Sequence, residues 1–479
     1  MTQITRIKKN SFFALLTHFI RLFANFFVFI GIARLYGPEE FGQFTAAHTL
    51  STIFVLLADF GFDTLLVVEI ARNKEKLQRT INSYFSVKIV LSLVATVLMI
   101  VVVSLESVSD TTRTLMYLFS LYVLFSSFIN FFFYLFRGYE EFHQETKISF
   151  IMNSFLLVIV IALSVLHVSL FIIAAAFIST RLLGIAIAVK YAGDKFKWRE
   201  FRFSIVNKEE FLKINVYGLY GIFGTVLFTL DTVLLSFLSN DFQVGLYQSV
   251  IKLASLGLLS SDILVYSILP SLTKYYSSDY SQWLKLTRYS HRTLMFVGTF
   301  ISFFMIVFPA DIITLVYGAN RYDAAVPILR IFGCVVGIRY CSEAGGLILT
   351  SSHNQLKRLV VVILATLFNL LANIFIIPIY GISGAAIISV MTNIFVGIGY
   401  LYYARIYQNV WLLETRRFIP FITAILLGIL FWDGRLIKVW ISLPLSAVTI
   451  IAVIFIFGFN RVERYSLINI KMWNVSKEF

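Results

Sequence analysis

Six lysines and arginines interrupt long apolar blocks of this chain: Arg21, Lys88, Arg181, Lys252, Arg330 and Arg339. A cation at the centre of a membrane helix costs about 2.5–3.5 kcal/mol on insertion scales, so it needs an anionic partner, a wet cavity or a route to the headgroups. Arg21, Lys252 and Arg339 fall near the middle of their blocks, where snorkelling is the weaker reading and an anionic partner or a wet cavity the stronger. Lys88, Arg181 and Arg330 lie nearer block ends, where snorkelling is the plain reading and a place in the same cavity the second. Acids share these blocks, among them Asp59, Asp63, Asp231, Asp262 and Glu343. Asp59, Asp231, Asp262 and Glu343 are candidates for proton or ion coupling, with an i,i+4 ion pair between Arg339 and Glu343 as the alternative reading of the last.

Other chemistries lack their residues. Cys334 and Cys341 are seven apart, match no CxxC pattern, and read as small packing residues. The six histidines, His18, His48, His143, His167, His291 and His353, show no HxxxH or HExxH spacing, so no protein-held metal is expected. There is no Walker A sequence, and neither a cofactor nor direct use of ATP is expected.

The elements that must position these groups are membrane helices. Of 479 residues, 59% are hydrophobic and 14% charged, against about 45–50% and 25% in soluble domains. Apolar blocks long enough to span a bilayer lie near residues 11–33, 43–69, 80–104, 113–136, 147–167, 169–190, 211–238, 243–272, 288–316, 325–350, 358–378, 381–404, 417–432 and 436–458. They far exceed the 9–11 residues of a barrel strand, so the expected fold is an all-α integral membrane protein of about 14 transmembrane helices. Connecting stretches are too short for a catalytic domain, and no enzyme is expected. The start, Arg6-Ile7-Lys8-Lys9 before an apolar run, looks like a signal peptide but continues through Arg21 to about Gly31, and reads as a retained first helix.

Charge sets the orientation. With the N-terminus in the cytoplasm, 29 of the 40 Lys and Arg fall in cytoplasmic segments and five, Arg34, Arg113, Arg321, Arg435 and Lys438, in outer loops. By the positive-inside rule both termini are cytoplasmic. The net charge of +14 thus resides in membrane-flanking loops that touch anionic lipid, and nucleic-acid binding is not expected.

Spacing also marks faces and a repeat. His18, Arg21 and Asn25 fall at i, i+3 and i+7, one polar face of the first helix. Gln248, Lys252, Ser255, Asp262 and Tyr266 form a second stripe, and a shift of 203 residues places it on Thr45, Thr49, Thr52, Asp59 and Asp63. The same shift aligns Gly42-Gln43-Phe44 with Gly245-Leu246-Tyr247, and Leu35 with Leu238. Both units start on the same side of the membrane, so the expectation is two six-helix lobes related by a parallel pseudo-two-fold repeat, residues 1–194 and 195–410, followed by helices 13–14 and a cytoplasmic tail in 411–479. Gly218, Gly221 and Gly224 read as a close helix-packing face beside Asp231, with a hinge as the second reading.

The run Ala33-Arg34-Leu35-Tyr36-Gly37-Pro38-Glu39-Glu40-Phe41-Gly42-Gln43-Phe44, followed by Leu57-Ala58-Asp59-Phe60-Gly61-Phe62, resembles the first helical hairpin of Wzx-type polysaccharide flippases, which move O-antigen or capsule repeat units, in the multidrug/oligosaccharidyl-lipid/polysaccharide exporter superfamily. Asn369-Leu370-Leu371-Ala372-Asn373 and then Ile377-Pro378-Ile379-Tyr380-Gly381-Ile382-Ser383-Gly384-Ala385-Ala386 are similar to that family's eleventh-to-twelfth helix turn. The resemblance implies a monomer in the bacterial cytoplasmic membrane. It implies alternating-access transfer of undecaprenyl-pyrophosphate-linked oligosaccharide to the outer leaflet, driven by an ion gradient or the membrane potential, near a glycan polymerase and chain-length machinery. It also implies a cationic cavity, onto which Arg21, Lys252 and Arg339 map first, Lys88, Arg181 and Arg330 second, with His18 and Asn25 facing sugar. A multidrug or metabolite exporter of the same superfamily and a flippase for peptidoglycan lipid precursor are the competing readings. A membrane glycan polymerase fits less well, because the outer loops are short.

Overall fold

The computed structural model describes residues 3–72, 77–196, 201–204 and 216–410, with the isolated positions 422, 423 and 426. Among the described residues there are helices and no strand. In chain order they are α1 (Gln3–Tyr36), α2 (Pro38–Asp59), α3 (Phe62–Arg72), α4 (Leu77–Leu105), α5 (Asp110–Gly138), α6 (Phe142–Val165) and α7 (Leu170–Ala192). Then follow α8 (Val216–Leu238), α9 (Asp241–Ser278), α10 (Tyr280–Val307), α11 (Pro309–Tyr317), α12 (Val326–Ser351) and α13 (Gln355–Gln408). Among the described residues eleven helices are long and apolar enough to cross a membrane, and the protein is a multi-pass integral membrane protein.

Local chemistry sets the helix ends. Pro38 opens α2, where a missing N–H costs nothing, after Gly37 at φ 92, and Glu39 and Glu40 face the positive end of the helix dipole. The Ser109 side chain accepts from the Thr112 N–H to start α5. At 1.5 Å per residue the 54 residues of α13 measure about 80 Å, more than twice a bilayer core of about 30 Å. The helix therefore divides, and it does so at Gly381 (φ 54, ψ −137), three residues after Pro378. The two rods are the expected spans 358–378 and 381–404. The N–H freed at Ile382 donates to Gln243 Oε1 at 3.2 Å, and a Cβ on Gly381 would meet that oxygen at 2.4 Å.

Two expected spans are broken. The block 43–69 is α2 and α3, separated at Phe60 (φ 34) and Gly61 (φ 75), which hydropathy averaging does not register. The block 288–316 is α10 and α11, because Pro309 disfavours helical backbone at Phe308. The expected helices at 417–432 and 436–458 lie outside the described residues, apart from positions 422, 423 and 426.

The chain divides into two compact units. The first comprises Met1–Lys252, Thr314–Ala325 and Val362–Ile388, and the second Leu253–Ile313, Val326–Val361 and Ser389–Phe479. One core of the first unit is aromatic, with Phe85, Phe131, Phe132, Phe136 and Phe196 buried together. In the second, Tyr340 packs onto Gly298, where a Cβ would lie 2.3 Å from that of Tyr340, and the buried Trp283 donates to Ser351 Oγ at 3.0 Å.

Within the first unit, the starts of α2 and α9 touch backbone to backbone. A Cβ on Gly42 would lie 1.8 Å from the Asp241 carbonyl oxygen, and one on Gly245 would lie 1.7 Å from that of Pro38. Only glycine fits either position. Ser109 and Thr112 hydroxyls donate to the Asp241 carboxylate at 2.7 and 3.0 Å. Tyr317 and Tyr322 donate at 2.8 Å to the carbonyls of Ser249 and Ala33. Burial raises both phenols above the ordinary tyrosine range, so both keep the donated proton.

Candidate functional site

In the first unit two arginines hold one carboxylate, and two further cations lie in the same region. Arg137, at the end of α5, grips Glu145 of α6 through two bonds of 2.7 Å, to Oε2 and Oε1. Arg21 of α1 donates to the same Oε1 at 3.0 Å and to Ser149 Oγ at 2.9 and 3.2 Å. Glu145 is 2% exposed while Arg21 keeps 33% of its side chain accessible, so the acid is spent and the guanidinium can still be reached. Arg181 of α7 receives no carboxylate among the described residues. It donates to Tyr122 Oη at 2.7 Å and lies 5.0 Å from that ring's centre, while its buried Nε has no partner among them.

Lys252 of α9 completes the group. Its ammonium sits 3.7 Å from the centre of the Phe29 ring and, among the described residues, makes no ion pair or hydrogen bond. A ring face attracts a desolvated cation by about 2 kcal/mol, which holds the charge without cancelling it. Arg21 is within electrostatic reach of Arg181, and His48 within reach of both Arg181 and Lys252, so the cations form one positive region. On the Arg21 face of α1, His18 and Asn25 are both half-buried, and His18 lies within reach of Arg21.

Lys88 departs from the snorkelling expected of it. It is 1% exposed and pairs with Asp59, whose other oxygen accepts from Asn130 Nδ2 at 2.9 Å while Ser127 donates to the first at 3.3 Å. With an acid against it, the ammonium does not need to reach the headgroups. Asp63's side chain lies outside the described residues.

Asp231, 3% exposed, accepts from Tyr247 Oη at 2.7 Å and from Asn373 Nδ2 at 2.9 Å, and Asn373 also donates to Asn369 at 3.1 Å. Beside it Gln248 Nε2 donates to Thr232 at 2.6 Å and reaches Thr49 at 3.4 Å. Gly221 and Gly224 do not form the expected packing face: a Cβ on either meets no atom within 4 Å among the described residues. Gly218's surroundings lie outside them.

In the second unit Glu343 accepts from Arg358 at 2.9 Å, so the carboxylate has a partner on α13. Arg339 is half-buried and within electrostatic reach of Asp262, which is exposed. Arg330, expected to snorkel, donates Nε–H to the Ile306 carbonyl at 3.1 Å. Among the described residues no group of three His, Cys, Asp or Glu is placed to hold a metal.

Arg21, Arg181 and Lys252 are thus brought together, whereas Lys88 and Asp59 form a separate pair. Sequence reasoning missed Glu145, Arg137, Tyr122 and His48 as members of the site. Arg137 and Glu145 fall between the blocks 113–136 and 147–167, whereas α5 runs on to Gly138 and α6 begins at Phe142. An acid one turn inside a helix start, eight residues after an arginine, was the available signal.

The sequence profile of the polysaccharide biosynthesis protein family matches residues 7–276. Among curated proteins none matches. Among solved structures, the chain is similar to lipid II flippase MurJ in an inward closed conformation, with a TM-score of 0.73 and 15% identity over 96% of this chain and 100% of that one. It is also similar to an inward-facing multidrug resistance MATE family transporter of the MOP superfamily, with a TM-score of 0.67 and 13% identity over 80% of this chain and 93% of that one. A MOP superfamily transporter from Pyrococcus furiosus matches with a TM-score of 0.60 and 14% identity over 84% of this chain and 95% of that one. At these identities the likeness establishes the fold.

Proposed function

The chain belongs to the polysaccharide biosynthesis protein family, and from that premise we propose that it is a transporter of the MOP superfamily and a flippase for undecaprenyl-pyrophosphate-linked oligosaccharide in a bacterial cytoplasmic membrane. The observation that carries the reading is the charge imbalance: among the described residues Arg21 and Arg137 share the carboxylate of Glu145, while Arg181 and Lys252 have no acid against them. Like charges left together in low dielectric repel, and a pyrophosphate entering among them turns that repulsion into attraction. An apolar drug cation would meet the opposite. The polyprenyl tail stays in lipid, while the sugars meet the polar face of His18 and Asn25.

Alternating access of two six-helix lobes, 1–194 and 195–410, fits the contact between α2 and α9. Pro38 and Asp241, like Gly42 and Gly245, are separated by the same offset of 203 residues, and each member touches the other's partner. Reciprocal contact of this kind is what an isologous interface about a two-fold axis produces. The seal must open for release at that end. Asp59 and Glu343 are engaged by Lys88 and Arg358, which leaves Asp231 and Asp262 as the acids for ion coupling. The membrane potential adds about 2.3 kcal/mol per charge per 100 mV.

The test is the sidedness of lipid-linked oligosaccharide in cells lacking the chain. Accumulation on the cytoplasmic face, relieved by the wild type and not by Arg21→Ala, is expected. Intact surface glycan without accumulation would move the reading to an exporter of other cargo.

A further inference from the structure

Near the starts of α1 and α6, the ends expected on the cytoplasmic side, the two helices line a groove of about 330 Å3. Phe13, Leu16, Ile20 and Phe150 make its walls, and Lys9, His143 and Lys147 stand around it. Its floor is closed by Thr146, which donates to the Phe13 carbonyl at 3.1 Å and shares a hydrogen bond of 2.8 Å with Thr17. Phe150 is 57% exposed, so the groove opens toward the surface that acyl chains cover.

The rim carries positive charge that nothing in the described residues cancels. Lys9 and Lys147 are exposed and make no ion pair there. His143 is within electrostatic reach of Lys9, Lys147, Lys195 and Glu141, and Glu141 is already held by Lys195 at 2.8 Å. Two free ammonium groups above an apolar slot match a phosphate attached to a hydrocarbon chain. They match a zwitterionic headgroup less well, because its own ammonium would stand against the lysines.

We propose that this groove binds one anionic phospholipid of the cytoplasmic leaflet, with its phosphate between Lys9 and Lys147 and the start of an acyl chain along Phe13, Leu16 and Phe150. The site is separate from the cargo path and does not rest on the cargo's identity. Each lysine near an anionic lipid surface contributes roughly a fivefold gain in binding, so the pair accounts for about 30-fold.

The test is native mass spectrometry of the full chain in detergent, titrated with phosphatidylglycerol, phosphatidylcholine or undecaprenyl pyrophosphate, with inorganic phosphate as competitor. One saturable phosphatidylglycerol adduct is expected, weakened about 30-fold by Lys9→Gln/Lys147→Gln and severalfold by Phe150→Ala, and not displaced by inorganic phosphate. Both variants alter exposed side chains, and an unchanged thermal melt verifies that they fold. Equal binding by wild type and the lysine variant, equal affinity for phosphatidylcholine, or displacement by inorganic phosphate would each overturn the site. Tighter, lysine-dependent binding of undecaprenyl pyrophosphate would overturn the phospholipid assignment and make the groove a cargo port.

Discussion

Lys88 and Lys252 are both membrane-embedded lysines of the first unit, and their surroundings differ in kind. Lys88 is enclosed, with Asp59 against its ammonium and Ser127 and Asn130 completing the carboxylate's bonds. Lys252 has a phenylalanine face and lies within electrostatic reach of His48, as Arg181 does. A cation with its own acid is part of the scaffold: it fixes α4 against α2 and has little left to offer a ligand. A cation held by a ring face, with no acid against it among the described residues, is a charge kept for something absent from the chain. The lesson is that an intramembrane lysine is informative only together with its counter-ion.

This contrast can be broken first at the neutralised pair. Asp59→Ala strands a buried ammonium and is expected to destabilise the protein by about 3–5 kcal/mol. The double variant Asp59→Ala/Lys88→Met should recover most of that loss, as read by unfolding in detergent. If Asp59→Ala leaves the melt unchanged, Lys88 does not depend on its partner and the two lysines are alike after all.

The second prediction concerns the unneutralised side. Lys252→Met or Arg181→Met removes a charge that no acid among the described residues balances, so the melt should hold or rise while transport falls about 10–100-fold, the worth of one charge-assisted bond at about 1.5–3 kcal/mol. Transport rates alongside melting curves separate the two effects. Loss of stability without loss of transport would put these residues in the scaffold.

Glu145→Gln sharpens the comparison from the acid's side. It leaves Arg21 and Arg137 unneutralised, so binding of a pyrophosphate lipid should tighten by roughly fivefold, about 1 kcal/mol for one like-signed charge removed in a hydrated setting. Calorimetric titration measures it, and weaker binding would mean that Glu145 aims the arginines more than it cancels them. The smallest effect belongs to Arg113, paired at 3.3 Å with an Asp110 side chain that is 99% exposed. Arg113→Ala should shift stability by no more than about 0.5 kcal/mol and leave transport unchanged.

Much of this contrast was visible before any coordinates. The apolar blocks and the six cations inside them follow from the residue string, and so does the Pro378–Gly381 turn that divides α13. The face shared by His18, Arg21 and Asn25 follows from helical spacing. What stayed hidden was which cation has a partner. Glu145 reaches Arg21 from 124 residues away and Asp59 reaches Lys88 across two helices, and single-helix periodicity carries no information about either. The break at Phe60–Gly61 escaped because a window average weighs side-chain polarity, while the break depends on left-handed backbone. Gly221 and Gly224 misled for a related reason: a small residue permits close packing without requiring a neighbour.

The most direct test is transbilayer movement of undecaprenyl-pyrophosphate oligosaccharide in vesicles reconstituted with the wild type or with Arg181→Met/Lys252→Met. The wild type is expected to move the lipid across, and the double variant, folded to the same melting temperature, to fall to the rate of protein-free vesicles. Movement at the wild-type rate by the double variant would contradict the claim that the unbalanced cations receive the pyrophosphate.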